Sequence, residues 1–165
     1  MRTITITLVA ALACGTASAG DNLAVRDRGA ALLEVADRHL TYTRELVMQA
    51  LGFLGIRYKY GGSSPDTGFD CSGLVRYVVG QALGLALPRD SRSISELGSQ
   101  VSTEELQAGD LVFFNTMRRP YSHVGIYVGE QRFIHEPASG GSVELVNMRE
   151  RYWQSRFDGA RRLSM

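Results

Sequence analysis

The sequence predicts an α+β domain in which helices from the first half of the chain pack on an antiparallel sheet built from the second. Three observations predict it. Apolar residues recur at helical spacing in two stretches before residue 84, whereas from Gly109 onward they fall into short runs bounded by Gly, Pro and polar turn residues. The chain also has 165 residues, 44% of them hydrophobic, enough to bury one core without metal or disulfide staples.

The chain opens with Met1-Arg2, an apolar stretch from Ile4 to Cys14, and Ala17-Ser18-Ala19 ahead of Gly20-Asp21. A basic start, a short apolar segment and small residues at a cleavage point are the parts of a secretory signal peptide, so residues 1–19 are read as one, cleaved after Ala19. The apolar stretch is too short for a permanent bilayer span, which needs roughly 20 residues. No transmembrane anchor is expected. Cleavage before Cys14 with lipidation is the alternative, but Ala11 stands where a larger aliphatic residue would be expected.

Residues 20–43 are polar and rich in Arg and Asp around one apolar patch, Ala30 to Ala36, and are read as a linker with one short helix. The domain proper is placed at 44–165. Leu46, Val47, Ala50, Leu51 and Leu54 predict an amphipathic helix over about Thr43 to Leu54, stopped by Gly55. An extended piece, Ile56 to Tyr60, leads into the loop Gly61-Gly62-Ser63-Ser64-Pro65-Asp66-Thr67-Gly68. Leu74, Val75, Val78, Val79, Ala82 and Leu83 then mark a second helix with Asp70 as N-cap, which puts Cys71 in its first turn. Pro88 ends that region, and Arg89 to Gln100 reads as irregular or weakly helical. Strands are expected at Leu111 to Phe114, His123 to Val128, Arg132 to Glu136, Ser142 to Val146 and Ala160 to Leu163.

A formal net charge of +1 with 21% charged residues gives no global attraction to nucleic acid or an anionic membrane, so recognition has to be local. Removal of Cys14 leaves Cys71 as the sole thiol of an exported chain, where paired cysteines would oxidise. A lone thiol in that setting is either buried and inert or has a chemical job. Thiols attack as thiolates, and a helix N-terminus favours the ionised form, so Cys71 is the candidate nucleophile.

A nucleophile needs a base, and the base needs a group to orient it. Alternation along His123-Val124-Gly125-Ile126-Tyr127-Val128 puts His123, Gly125 and Tyr127 on one face, away from the aliphatic one. A three-residue loop, Gly129-Glu130-Gln131, pairs Val128 with Arg132 and sets His135 opposite Gly125, on the face of His123. A loop of two or four residues would turn His135 away. His123 is therefore the candidate base and His135 its orienting partner. His39, in the polar N-terminal segment, has no partner signal and reads as structural or exposed.

Six ordered blocks carry a further signal. Tyr58-Lys59-Tyr60-Gly61-Gly62, Phe69-Asp70-Cys71-Ser72-Gly73-Leu74-Val75, Leu87-Pro88-Arg89, Ala108-Gly109-Asp110-Leu111-Val112-Phe113-Phe114, Ser122-His123-Val124-Gly125-Ile126-Tyr127-Val128-Gly129 and Phe133-Ile134-His135 together resemble the NlpC-type cell-wall cysteine peptidases. The similarity runs from about Leu46 to Leu163. It implies a papain-like fold and hydrolysis of amide bonds in peptidoglycan stem or cross-link peptides by a Cys71–His123–His135 triad, without metal or organic cofactor. It further implies that Tyr58 donates to the oxyanion beside the Cys71 backbone N–H. By the same resemblance Asp70 and Ser72 are expected to hold the helix start and contact a substrate amine, and Arg89 and Ser91 to line the cleft. Ile94 departs from the family pattern, which often has glutamine there.

The expected partner is the stem peptide, and the protein is expected to act as a monomer in the periplasm or cell envelope. Other readings stay open on sequence: an acyltransferase or a wall-degrading antibacterial effector of the same fold, a non-catalytic wall-binding protein, or a zinc site of Cys71, His123 and His135.

Overall fold

The structure, a computed structural model, describes residues 19–137 and 140–163. Residues 1–18, including Cys14 and nearly all of the expected signal peptide, lie outside the described residues. The chain divides into two compact units, residues 1–36 and 37–165. The first helix, α1, spans Ala19–Gly52. It occupies the region expected to be a linker with a short helix, followed by a separate helix from Thr43. No proline interrupts residues 19–52, and Ala, Leu, Glu and Arg recur along them, so intrinsic helix preference operates where no long apolar stripe signals a helix. In the first unit Leu32, Leu33 and Val35 are exposed. In the second, Leu46 and Ala50 of α1 enter the core.

The second unit continues with β1 (Ser63–Ser64), β2 (Gly68–Phe69), α2 (Cys71–Leu83), α3 (Ser91–Ile94), β3 (Ser99–Val101), β4 (Leu111–Phe114), β5 (His123–Gly129), β6 (Arg132–His135), β7 (Glu144–Asn147), α4 (Arg151–Gln154) and β8 (Phe157–Arg162). The first two strands form a small antiparallel pair, and the other six form one antiparallel sheet in the order β3-β8-β4-β5-β6-β7. The α+β expectation holds, and the five expected strands are all present with ends moved by a few residues. Both β3 and α4 fall in segments whose sequence carries little periodicity.

Strand alternation sorts the core into two layers, one on each face of the sheet. Leu111, Phe113, Val124, Ile126 and Ile134 pack with Leu74, Val75, Val78 and Val79 of α2. On the opposite face Val112, Phe114, Tyr127, Phe133 and Ala160 pack with Trp153 of α4. Phe114 stacks on Phe133 at 4.7 Å and meets Trp153 edge-on at 5.0 Å. A sheet covered on both faces explains why all four residues of β4 are buried.

The start of α2 is held by a dense set of hydrogen bonds. Asp70 is the N-cap, its side chain accepting from the Gly73 N–H at 2.8 Å, and Gly84, at φ 66°, ends the helix by donating its N–H to the Gly80 carbonyl. The loop after α1 lies directly on this turn, because a Cβ at Gly73 would stand 2.0 Å from the Gly62 carbonyl oxygen. Only glycine at residue 73 lets the loop and the first turn of α2 come so close, and Tyr58, just before that loop, lines the same cleft as Cys71.

Candidate active site

Cys71 opens α2, His123 opens β5 and His135 closes β6. Together with Tyr58, Asp70, Ser72, Arg89 and Ser91 they line one cleft of about 800 Å³. Every residue expected at the site from sequence thus reaches one cleft. Ile94 does not line it, being wholly buried in the helix-side core. His39 sits on α1 beside a separate cavity of about 20 Å³.

The two imidazoles stand on one face of the sheet, with His123 Nε2 and His135 Nδ1 2.9 Å apart. The route to that geometry differs from the expected one. Gly129 pairs directly with Arg132, so the loop is the two residues Glu130 and Gln131, both at positive φ (52° and 60°). Alone, that loop would turn His135 to the other face. A register shift between Tyr127 and Gly129 inserts one residue and restores the parity, giving Tyr127↔Phe133 and Ile126↔Ile134. At Gly125, opposite His135, a Cβ would stand 2.6 Å from Phe133 Cδ2, 2.7 Å from the Ile134 carbonyl oxygen and 3.2 Å from His135 Cβ. The strands approach there because the residue has no side chain.

Sequence reasoning missed three neighbours of this pair. Trp153 stacks on His123 (5.8 Å, 26°) and meets His135 edge-on at 4.7 Å. Glu144 pairs with His135 across β6 and β7, with Oε1 3.3 Å from His135 Nε2 though outside hydrogen-bond geometry. Glu136, the residue just past the end of β6, is 1% exposed and belongs to the lining of the cleft. If His123 carries its proton on Nε2, His135 accepts at Nδ1, its own proton faces Glu144, and Nδ1 of His123 is left free as a base.

Burial governs the protonation of the pair. His123 is 6% and His135 1% exposed, and burial lowers His123 to about 4. Burial, reinforced by the neighbouring His123, lowers His135 to about 3. Both rings are neutral at pH 7. Cys71 is half-buried and has no disulfide. Burial also pushes its thiol up, with a contribution from the Asp70 charge, and the opposing backbone N–H groups of Val124 and Ser72 and the Arg89 charge do not offset it. The N–H groups that favour the anion at this helix start are thus outweighed by desolvation. Tyr58 is raised as well, first by burial and then by the charges of Asp70 and Cys71, so its phenol stays a proton donor.

Asp70 is committed to the protein. Oδ1 accepts from the Gly73 N–H (2.8 Å), Arg89 Nη1 (3.0 Å) and Ser72 Oγ (3.3 Å), while Oδ2 accepts from the Gly61 N–H (3.0 Å) and from Arg89 Nη2. Burial would raise its pKa, but these hydrogen bonds and the Arg89 charge hold it below the usual carboxylate value. Ser72 Oγ in turn accepts from Arg89 Nη1 at 2.7 Å. Ser91 Oγ donates to the Tyr121 carbonyl at 2.6 Å, fixing the wall of the cleft. Among the described residues no group of three or more His, Cys, Asp and Glu side chains is disposed to hold a metal ion. No helix among them is long and apolar enough to cross a membrane.

Comparison with known proteins places these residues in a wider setting. The profile of the NlpC/P60 family matches residues 55–162. Murein DD-endopeptidase MepH of Escherichia coli is 38% identical over 146 residues, which cover 84% of this chain and 54% of that protein. Gamma-DL-glutamyl hydrolase of Bacillus subtilis is 43% identical over 118 residues, 71% of this chain and 28% of that protein. The chain thus spans about half the length of the first relative and less than a third of the second. Among solved structures, an NlpC/P60 family protein from Bacillus cereus superposes with a TM-score of 0.68 at 35% identity, covering 73% of this chain and 39% of that one.

Proposed function

The chain belongs to the NlpC/P60 family, and from that premise we propose that it is a peptidoglycan endopeptidase that hydrolyses amide bonds in stem or cross-link peptides by cysteine chemistry. The observation that carries the reading is the open cleft in which the free thiol of Cys71 shares a wall with the hydrogen-bonded pair His123–His135. In this reading Cys71 is the nucleophile, His123 the base and His135 the residue that holds the base in its working tautomer.

The reaction follows from the protonation states. The resting site holds a neutral thiol and neutral imidazoles, so the proton leaves sulfur for His123 as the sulfur attacks the carbonyl carbon, and no ion pair need form beforehand. The tetrahedral oxyanion is met by the Tyr58 phenol and the Cys71 backbone N–H. His123 then passes its proton to the leaving amine, the C–N bond breaks, and a thioester remains. Water, deprotonated by the same ring, attacks the thioester and restores the thiol. His123 is protonated at that stage by charge separation, and the His135 partner stabilises it.

We place the site of action in the bacterial envelope. The proposed organisation is a signal peptide at 1–19, a segment at 20–43 and the peptidase domain at 44–165. The test is digestion of purified peptidoglycan followed by mass spectrometry of the muropeptides. New termini at a stem or cross-link amide are expected from the wild-type protein and not from Cys71→Ala. Unchanged muropeptides with the wild type, or equal cleavage by a folded Cys71→Ala variant, would refute the reading.

A further inference from the structure

The two neutral imidazoles carry two protons on four ring nitrogens, and only one distribution gives a base. His123 Nε2 and His135 Nδ1 are 2.9 Å apart, so one of them holds a proton and the other accepts it. With the proton on His123 Nε2, that ring keeps a bare Nδ1 to act as the base, and the proton of His135 lies on its Nε2. With the proton on His135 Nδ1, His123 Nε2 accepts, the proton of His123 lies on Nδ1, and the ring has no lone pair left for the thiol. The two distributions also differ at the far end of the pair: His135 Nε2 is an N–H in the working one and a bare acceptor in the idle one.

The His135 side chain is 1% exposed, and its Nε2 has no hydrogen-bond partner among the described residues. Register pairs His135 with Glu144 across β6 and β7, and Glu144 Oε1 stands 3.3 Å from that nitrogen. A carboxylate attracts an N–H and repels a lone pair, so a carboxylate at this place favours the working distribution. Strand pairing holds the Glu144 backbone, while its side chain is 50% exposed and has room to turn the carboxyl into line with the N–H. The other groups around the ring do not decide the state of Nε2. His123 occupies the opposite nitrogen, and Trp153 meets the ring edge-on at 4.7 Å. The Glu136 backbone favours positive charge on the ring but makes no hydrogen bond with Nε2, and the Glu136 carboxyl oxygens have no partner among the described residues.

We propose that Glu144 is a positioning residue of this site: through His135 it fixes the tautomers of both imidazoles, so that His123 keeps a bare Nδ1 for the proton of Cys71. The inference rests on the reading of the protein as a cysteine peptidase and extends its site to the row Cys71, His123, His135 and Glu144. The thiol proton goes to His123 and no further. Glu144 keeps its charge throughout and opposes the positive charge that develops on the row as the proton leaves sulfur.

The experiment uses the full chain with nitrogen-15 in its histidines, as wild type and as Glu144→Leu, which keeps bulk at residue 144 and removes the acceptor. Two-bond proton–nitrogen correlation spectra at pH 7, where both rings are neutral, report which ring nitrogens carry protons. The wild type is expected to show His123 and His135 both protonated on Nε2. Glu144→Leu is expected to shift the tautomer ratio about 10-fold toward protons on Nδ1 of both rings, the size of one charge-assisted hydrogen bond. Hydrolysis of peptidoglycan should fall by about 3- to 10-fold, the low end being set by the solvent that screens a half-exposed carboxylate. A wild-type His135 protonated on Nδ1 overturns the proposal without any variant. So do unchanged tautomers in Glu144→Leu, with or without a loss of rate, and shifted tautomers with an undiminished rate. The spectra are read without turnover, so a wild-type protein that fails to cleave peptidoglycan refutes the peptidase reading and leaves the tautomer result standing by itself.

Discussion

Replacing Gly125 by alanine tests how tightly the imidazole pair depends on the approach of two strands. The added methyl would stand 2.7 Å from the Ile134 carbonyl oxygen and 2.6 Å from Phe133 Cδ2. Carbon atoms rest comfortably at about 3.5–4.0 Å from their neighbours. Phe133 is wholly buried and stacked on Phe114, and Ile134 O belongs to the backbone of β6, so neither can swing aside cheaply. Relief requires β6 to move off β5 by something approaching 1 Å. His135 sits on the moving strand, and its bond to His123 starts at 2.9 Å, so a shift of that size takes it beyond hydrogen-bond reach. Overpacking of this kind costs about 1–3 kcal/mol of stability, and a displacement of about 1 Å at a catalytic group costs on the order of 100-fold in rate. Urea denaturation and release of soluble muropeptides from purified peptidoglycan measure the two quantities. A Gly125→Ala protein with wild-type stability and wild-type turnover would refute the claim that glycine at this site sets the geometry of the pair.

Other outcomes follow from the same structure. Because the two histidines are held below their unfolded pKa of about 6.5, the unfolded chain binds more protons from 6.5 down to about 4 for His123 and about 3 for His135, and the stability they contribute is complete above 6.5 and lost as pH falls through those windows. For His123 the loss amounts to about 3 kcal/mol. Glu136, raised to about 7, acts in the opposite sense, its contribution being lost as pH rises from about 4.5 to 7, so Glu136→Gln should steepen the acid loss seen in urea midpoints. Iodoacetamide should modify Cys71 at pH 7 more slowly than it modifies free cysteine, and the rate should still be climbing above pH 8.5; fast labelling at neutral pH would contradict the burial effect. His135→Ala is expected to reduce peptidoglycan hydrolysis less than His123→Ala does, since the first loses orientation and the second the base itself; the reverse order would exchange the roles. Asp70→Ala removes a helix cap and the anchor of Arg89, and should lower stability by about 2 kcal/mol in urea denaturation.

Much of this arrangement was legible in the chain because short-range rules govern it. Asp70 preceding a helical apolar pattern marks an N-cap, and Cys71 follows from it. Period-2 alternation puts His123 on the face opposite Val124 and Ile126, where the structure has it. The hairpin shows the limit of such reasoning: the two-residue loop and the bulge after Tyr127 each reverse the face of His135, and only their combination yields the observed one. A count of loop residues assigns a total offset without saying how turn and strand share it. Glu144 was illegible for a related reason. Its place opposite His135 depends on the register of β6 with β7 across a long connection, which no turn signal sets. Trp153 lies on a four-residue helix, too short to show periodicity, although it covers both imidazoles. The long α1 was missed because its expected apolar stripe is lacking while residue preference still favours helix.

The raised thiol and the lowered imidazoles have a common origin, and it bears on how a site of this kind selects its moment to react. Water removed from around Cys71 and His123 penalises both charged partners, so a thiolate–imidazolium pair at rest would lack the solvent that stabilises it elsewhere. The dipoles that do favour the anion, the N–H groups of Val124 and Ser72, are backbone groups on β5 and α2 and need not reorganise. Charge separation is therefore least costly when a third partner shares the negative charge, which on the proposed chemistry happens as it passes from sulfur to the carbonyl oxygen beside Tyr58. If that reasoning holds, Tyr58→Phe should reduce turnover on peptidoglycan while leaving the iodoacetamide rate of Cys71 nearly unchanged, because alkylation develops no oxyanion. Equal losses in both assays would mean that the phenol acts on the thiol directly, and the burial of the resting pair would then need another explanation.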